Sequence, residues 1–188
     1  MKRLIVVAGP MGVGKTTACR ELHRRLPRSA FLDGDWCWDL HPFTVNAQTK
    51  AMVLDNICHL LNNFLRCDAC ESIIFCWVIP EQAILDAILA RLDLRGVGLH
   101  CFALVAEAEV LRERLRRDVE CGLRDEDVIL RSLAYLGKYA SLDVGRLDVR
   151  AMSPAEVAAE LARRCGCPVS DVEAQPNRIS AGASTENA

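Results

Sequence analysis

Lys15, Thr16 and Thr17 close the run Gly9-Pro10-Met11-Gly12-Val13-Gly14-Lys15-Thr16-Thr17, which fits G-x-x-x-x-G-K-[ST]. Polyphosphate binding is the chemistry of that spacing. Gly9, Gly12 and Gly14 let the backbone turn tightly, so that successive N–H groups point inward at an anion. The helix that follows adds the partial positive charge of its N-terminus. The lysine reaches β- and γ-phosphates, and the Thr16 hydroxyl can ligate Mg²⁺. The expected nucleotide-binding set is therefore Gly9, Met11, Gly12, Val13, Gly14, Lys15, Thr16 and Thr17, with Thr16 as the metal ligand.

Two further groups suit the same chemistry. Leu32-Asp33-Gly34-Asp35 sets two carboxylates on either side of a glycine. Carboxylates take a proton from an acceptor hydroxyl or support Mg²⁺, and Gly34 permits an unusual turn that aims both inward. The alternative is an Asp-Gly turn with solvated side chains. Farther on, Arg112, Arg114, Arg116 and Arg117 crowd one segment, followed by Arg124 and Arg131. Arginines stabilise the charge of a transferring phosphoryl group. The interleaved Glu113, Asp118 and Glu120 fit a salt-bridged surface equally well.

The elements that must carry these residues alternate between apolar runs and helical periodicities. Leu4–Ala8 reads as a buried strand before the glycine-rich run, and Thr16–Leu26 as the helix after it. Ser29–Asp33 is a second short strand that ends on the first aspartate. Thr49–Arg66 carries Val53, Ile57, Leu60, Leu61 and Phe64 at helical spacing. Ser72–Ile79 is a central strand, with Pro80 in the first turn of a helix over Glu81–Leu92. Leu99–Val105 is the fourth strand, followed by helices at Glu107–Asp118 and Asp125–Tyr139 around a break at Gly122. Leu147–Val149 is the fifth strand. Ser153-Pro154-Ala155-Glu156 is a capping box opening the last helix. Such alternation predicts an α/β fold, a parallel sheet covered on both faces, with its ligands beyond the carboxyl ends of the strands. From Pro168 onward the chain is polar and aperiodic, so residues 168–188 are expected to be a disordered tail to a domain at 1–167.

Composition narrows the function class. A chain of 188 residues suits one domain with a sizeable core. The net charge of −2 gives no electrostatic case for nucleic acid, and no apolar run is long enough for a membrane span. The N-terminus does not read as a signal peptide. A cytoplasmic enzyme of small molecules is the expectation. Ten cysteines are present. Cys67-x-x-Cys70 has only the distant Cys165-x-Cys167 as a companion pair, a spacing that does not make a zinc site. Cys76 and Cys101 lie in apolar runs and read as small core residues.

GPMGVGKTT followed by FLDGDWCWDLHP resembles the P-loop small-molecule kinases of the shikimate, gluconate and adenylylsulfate kinase type. It also resembles related bacterial nucleotide-kinase or AAA-type ATPase proteins. The resemblance covers residues 1 to about 165. It implies a P-loop NTPase three-layer sandwich with a five-stranded sheet in order 2-3-1-4-5 and a small lid at about 117–127. It implies ATP as donor, Mg²⁺ with it, and a small-molecule acceptor. Asp33 or Asp35 would serve the acceptor, with Asp35 favoured and Asp33 supporting it or contacting Mg²⁺ through water. Arg117 and Arg124, flanking Gly122, would be the lid arginines. Trp36, Trp38, His41, Phe43 and Trp77 would line the acceptor cleft, and Arg150 would lie near the adenine. The third strand, Ile73 to Ile79, lacks the terminal acid of motor ATPases and switch GTPases, which argues against a mechanical role. The function implied is transfer of the γ-phosphoryl group to a small-molecule hydroxyl. A nucleoside or nucleotide kinase and a non-catalytic nucleotide-binding regulator are the alternatives.

Overall fold

Five apolar runs pair in parallel as one sheet in the order β2-β3-β1-β4-β5. The structure, a computed structural model, describes residues 2–167, and the segment expected as a tail lies outside the described residues. In chain order the elements are β1 (Arg3–Ala8), α1 (Lys15–Arg25), β2 (Ser29–Asp33), a 3-10 turn (Gly34–Trp38) and α2 (Ala47–Arg66). Then come β3 (Ser72–Trp77), α3 (Gln82–Leu89), β4 (Gly98–Val105), α4 (Ala108–Glu120) and α5 (Asp127–Leu136). A second 3-10 turn (Gly137–Ser141), β5 (Gly145–Asp148) and α6 (Pro154–Arg164) complete the fold.

The side-chain alternation of a strand divides the core in two. Ile5 and Val7 of β1 point into the layer shared with α1 and α6, beside Leu22, Leu104 and Leu161. Leu4, Val6 and Ala8 point the other way, into the layer of α2 and α3 with Ile57, Leu61 and Phe75. Both faces of β1 are buried, which is why its sequence is apolar without alternation. The result is the three-layer P-loop NTPase α/β sandwich with the expected strand order.

Register brings the site together. Ala8 pairs with Trp77 on one side and Ala103 on the other, and Asp33 pairs with Cys76. The carboxyl ends of β1, β2 and β3 therefore form one rim. The capping box at Ser153 forms with Pro154 opening α6, as the sequence predicts.

Several boundaries differ. Glu81 takes an extended backbone, so α3 starts at Gln82 and Pro80 lies before the helix rather than in its first turn. Gly137 favours neither continued helix nor strand, and α5 tightens there into the 3-10 turn instead of running on to Tyr139. Asn46 caps α2 in a box with Thr49, starting that helix at Ala47. All ten cysteines are free thiols, with Cys76 fully buried and Cys101 partly so. No helix among the described residues is long and apolar enough to cross a membrane.

Candidate active site

The loop between β1 and α1 carries the first layer of the site. Gly14, at φ 101, turns the chain into α1 from a left-handed conformation that disfavours any side chain. The first helical bond runs from the Ala18 N–H to the Gly14 carbonyl at 3.0 Å, and no side chain caps the N–H groups before it. The first turn also holds no acidic residue. These uncapped donors suit an anion. Lys15 is buried, its Nζ donating to the Gly9 and Pro10 carbonyls at 2.9 Å each. Burial pushes its ammonium below the usual lysine range, opposed by the charges of Asp35 and Asp33.

Two side chains fasten the loop from behind. Ser132, fully buried on α5, donates to the Met11 carbonyl at 2.8 Å. Arg114 on α4 donates to the Val13 carbonyl at 3.2 Å and to the Val149 carbonyl at 3.3 Å. It thus ties the phosphate loop to the segment after β5. Sequence reasoning singled out neither residue as part of the site. For Arg114 a signal existed: it falls beside Leu111 and Leu115, the buried stripe of α4, whereas Arg117 lies farther round the helix.

Asp33 and Asp35 sit at the end of β2 and do different things. Asp33 is buried; its Oδ2 accepts the Thr16 hydroxyl at 2.7 Å and its Oδ1 accepts the Asp35 N–H at 3.1 Å. Asp35 opens into the cleft, and its Oδ1 accepts the Trp77 indole N–H at 3.1 Å. Desolvation, and then the charge of Asp33, push the Asp35 carboxyl above the ordinary carboxylate range, while Lys15 and the indole pull the other way. The solvated Asp-Gly turn is therefore not what forms.

Gly34 differs from expectation. Its backbone is not left-handed, and glycine is required there by space. A Cβ at residue 34 would lie 2.4 Å from Trp77 Cγ and 2.6 Å from Cδ1.

The cleft encloses about 390 Å³ and is lined by Lys15, Thr16, Asp35, Arg114, Arg117 and Arg124, among others. Arg117 pairs with Glu113, and Arg124 with Asp118 at 3.1 Å. The surface ion pairs of the competing reading thus exist, yet both arginines also face the cleft. Arg131 is paired within α5 to Asp127, and Arg150 to Glu107 and Asp148.

The aromatic residues separate. Trp38 lies 6.3 Å from the Trp77 ring and 5.8 Å from Phe43, making a wall that leads away from Asp35. Trp36 departs from the expected cleft: it packs edge-on against Phe31 at 5.3 Å, with Arg20 over its ring at 5.9 Å. Trp36 and Trp38 lie two residues apart in a 3-10 turn of about three residues per turn, so they point to different sides and only Trp38 meets Trp77. His41 is exposed.

A family model for an AAA domain matches residues 5–128. The chain belongs to this AAA-domain family. Among solved structures it is similar to the tunicamycin resistance protein of Deinococcus radiodurans, at 26% identity over 90% of this chain and 99% of that one, with a TM-score of 0.68. A gluconokinase from Sinorhizobium meliloti 1021 matches at 21% identity over 87% and 94% of the two chains, TM-score 0.62. A shikimate kinase from Bacteroides thetaiotaomicron matches at 18% over 86% and 96%, TM-score 0.55. At these identities the two kinases establish the shared fold. No curated protein matches the chain.

Proposed function

We propose that this AAA-domain protein is a kinase that transfers the γ-phosphoryl group of ATP to a hydroxyl of a small molecule. The observation that carries the reading is the division of labour between two carboxylates on one turn. Asp33 is committed to the Thr16 hydroxyl, whereas Asp35 faces the cleft. Binding a nucleotide needs only the first; activating an acceptor needs the second.

The residues fit ATP and Mg²⁺. The uncapped N-terminus of α1 and the cationic cleft suit a triphosphate, and Thr16 suits the metal. Because Thr16 gives its proton to Asp33, the lone pairs of Oγ1 remain available to a cation. Bound there, MgATP supplies the transferable phosphoryl group and part of the neutralising charge. Lys15, Arg117 and Arg124 supply the rest as negative charge spreads over the phosphoryl oxygens. Residues 117–127 are the proposed lid. Asp35, ionised, takes the proton of the acceptor hydroxyl, a role worth about 10²–10⁴ in rate.

The likeness to a tunicamycin resistance protein supports including antibiotics among the acceptors. The test follows labelled γ-phosphate from ATP into a panel of sugars, sugar acids, nucleosides, nucleotides, aminoglycosides and tunicamycin. Transfer that is lost in Asp35→Asn while ATP binding persists supports the proposal. Transfer confined to nucleosides or nucleotides assigns the narrower kinase class. Tight ATP binding with no acceptor in the panel refutes the kinase reading in favour of a regulatory module.

A further inference from the structure

We infer that Trp77 is a positioning residue: it holds the Asp35 carboxylate in the orientation that acceptor activation requires. The inference rests on the kinase reading for its consequence, and on geometry for its content. Trp77 ends β3 as the register partner of Ala8, the residue before Gly9 of the phosphate loop. The position that lacks the acid of a motor ATPase is thus filled by a hydrogen-bond donor.

That donor is constrained on several sides. Gly34 lies against the indole so closely that a single methyl group would collide with it. Trp38 packs at 49° to the ring from the side. Indole Nε1–H is a donor only, and its one hydrogen bond goes to Asp35 Oδ1 at 3.1 Å. The Asp35 backbone is pinned independently, through its N–H to Asp33 and from Asp33 to Thr16. Side chain and main chain of the proposed base are therefore both fixed. Among the described residues no protein donor occupies Asp35 Oδ2, which leaves that oxygen for the acceptor hydroxyl.

The chemistry of the donor matters as much as its place. A guanidinium or ammonium in the same contact would pull the carboxyl far down and make it a poor base. A neutral N–H offsets desolvation and the Asp33 charge without doing so. The carboxyl stays above the ordinary carboxylate range, as a group that accepts a proton requires.

Trp77→Phe tests this, because phenylalanine keeps an aromatic ring over Gly34 while removing the N–H together with one ring of the indole. With the acceptor found in the panel, kcat should fall about tenfold while KM for ATP stays within about twofold. The acid limb of kcat/KM should move to higher pH. In an Asp35→Asn background, Trp77→Phe should cause no further loss. An unchanged kcat and pH profile, or losses that multiply with Asp35→Asn, would overturn the inference.

A readout without turnover separates this inference from the kinase reading. In protein labelled with ¹⁵N, the Trp77 indole resonance should shift with pH as Asp35 titrates, and Asp35→Asn should abolish that shift. An indole resonance indifferent to Asp35 refutes the positioning role whether or not transfer is found. A resonance that follows Asp35 in a chain that phosphorylates nothing supports the positioning contact and refutes the kinase reading instead.

Discussion

Replacing Gly34 with alanine puts a methyl carbon where the Trp77 ring already sits. The new Cβ would lie 2.4 Å from Cγ, 2.6 Å from Cδ1 and 2.9 Å from Cβ of Trp77. Rotating the ring does not relieve the third contact, so the end of β3 itself must give. Overpacking of this kind costs about 1–3 kcal/mol, and the displaced indole loses its bond to Asp35, worth about 1 kcal/mol at a solvent-facing carboxylate. A total near 2–4 kcal/mol corresponds to a fall in Tm of about 4–16 °C for a chain of this length. Because residue 34 is not left-handed, the backbone itself accepts alanine. In a Trp77→Ala background the contacts with Cγ and Cδ1 disappear and only the 2.9 Å contact with Cβ remains, so Gly34→Ala should cost markedly less than it does in wild type. Thermal unfolding of the two single variants and the double variant gives the coupling directly. A Gly34→Ala protein melting within about 1 °C of wild type, or an equal penalty in both backgrounds, would refute the steric account.

Asp35→Asn should separate stability from transfer. Since the folded-state pKa of Asp35 is raised, the folded protein binds that proton more tightly than the unfolded chain, so the ionised group weakens the fold above its folded pKa. At neutral pH the asparagine variant should therefore melt no lower than wild type. Any advantage should vanish as pH falls through the folded pKa of Asp35, and transfer by wild type should fail over that same window. Lys15→Met should lose most of the nucleotide-induced stabilisation, which is about 2.7 kcal/mol for a ligand at a hundred times its Kd, as measured by melting with and without ATP. Arg114→Ala should cost about 1–2 kcal/mol of stability and weaken ATP binding, since the Val13 carbonyl loses this donor and the Val149 carbonyl keeps only the Met152 N–H. Arg117→Ala, which breaks one exposed ion pair, should change stability by less than about 1 kcal/mol while lowering kcat. Calorimetry and turnover of the two arginine variants side by side test that contrast.

The glycine-rich loop between β1 and α1 is legible in the sequence because its residues are contiguous: glycines, lysine and threonine lie within one short stretch of backbone. The shared rim also follows from parallel β-α alternation, and the strand order from the resemblance to P-loop kinases. What the sequence conceals is contact between distant segments. The Thr16–Asp33 bond joins α1 to β2, and nothing in the spacing says that Asp33 rather than Asp35 takes it. Arg114 hides among similar arginines, distinguished only by its place beside Leu111 and Leu115. Gly34 misleads more. A glycine between aspartates suggests a special turn, while its actual cause, a tryptophan more than forty residues away, leaves no local mark. Trp36 and Trp38 look equivalent in the chain, and the 3-10 turn sends one toward Phe31 and the other toward Trp77.

The absence of an acid at the end of β3 acquires a physical reason from these contacts. The Thr16 hydroxyl already has a carboxylate partner in Asp33, delivered by β2. A second acid at residue 77 would bring another negative charge toward Asp33 and Asp35, where Asp33 already pushes the Asp35 carboxyl upward. It would push the Asp35 carboxyl further upward. A neutral donor at that position does the reverse. The replacement of acid by tryptophan, the glycine that accommodates the ring and the aspartate that receives its N–H therefore form one device. Its parts fit the proposed kinase, in which one Asp35 oxygen must be free to take the proton of an acceptor hydroxyl.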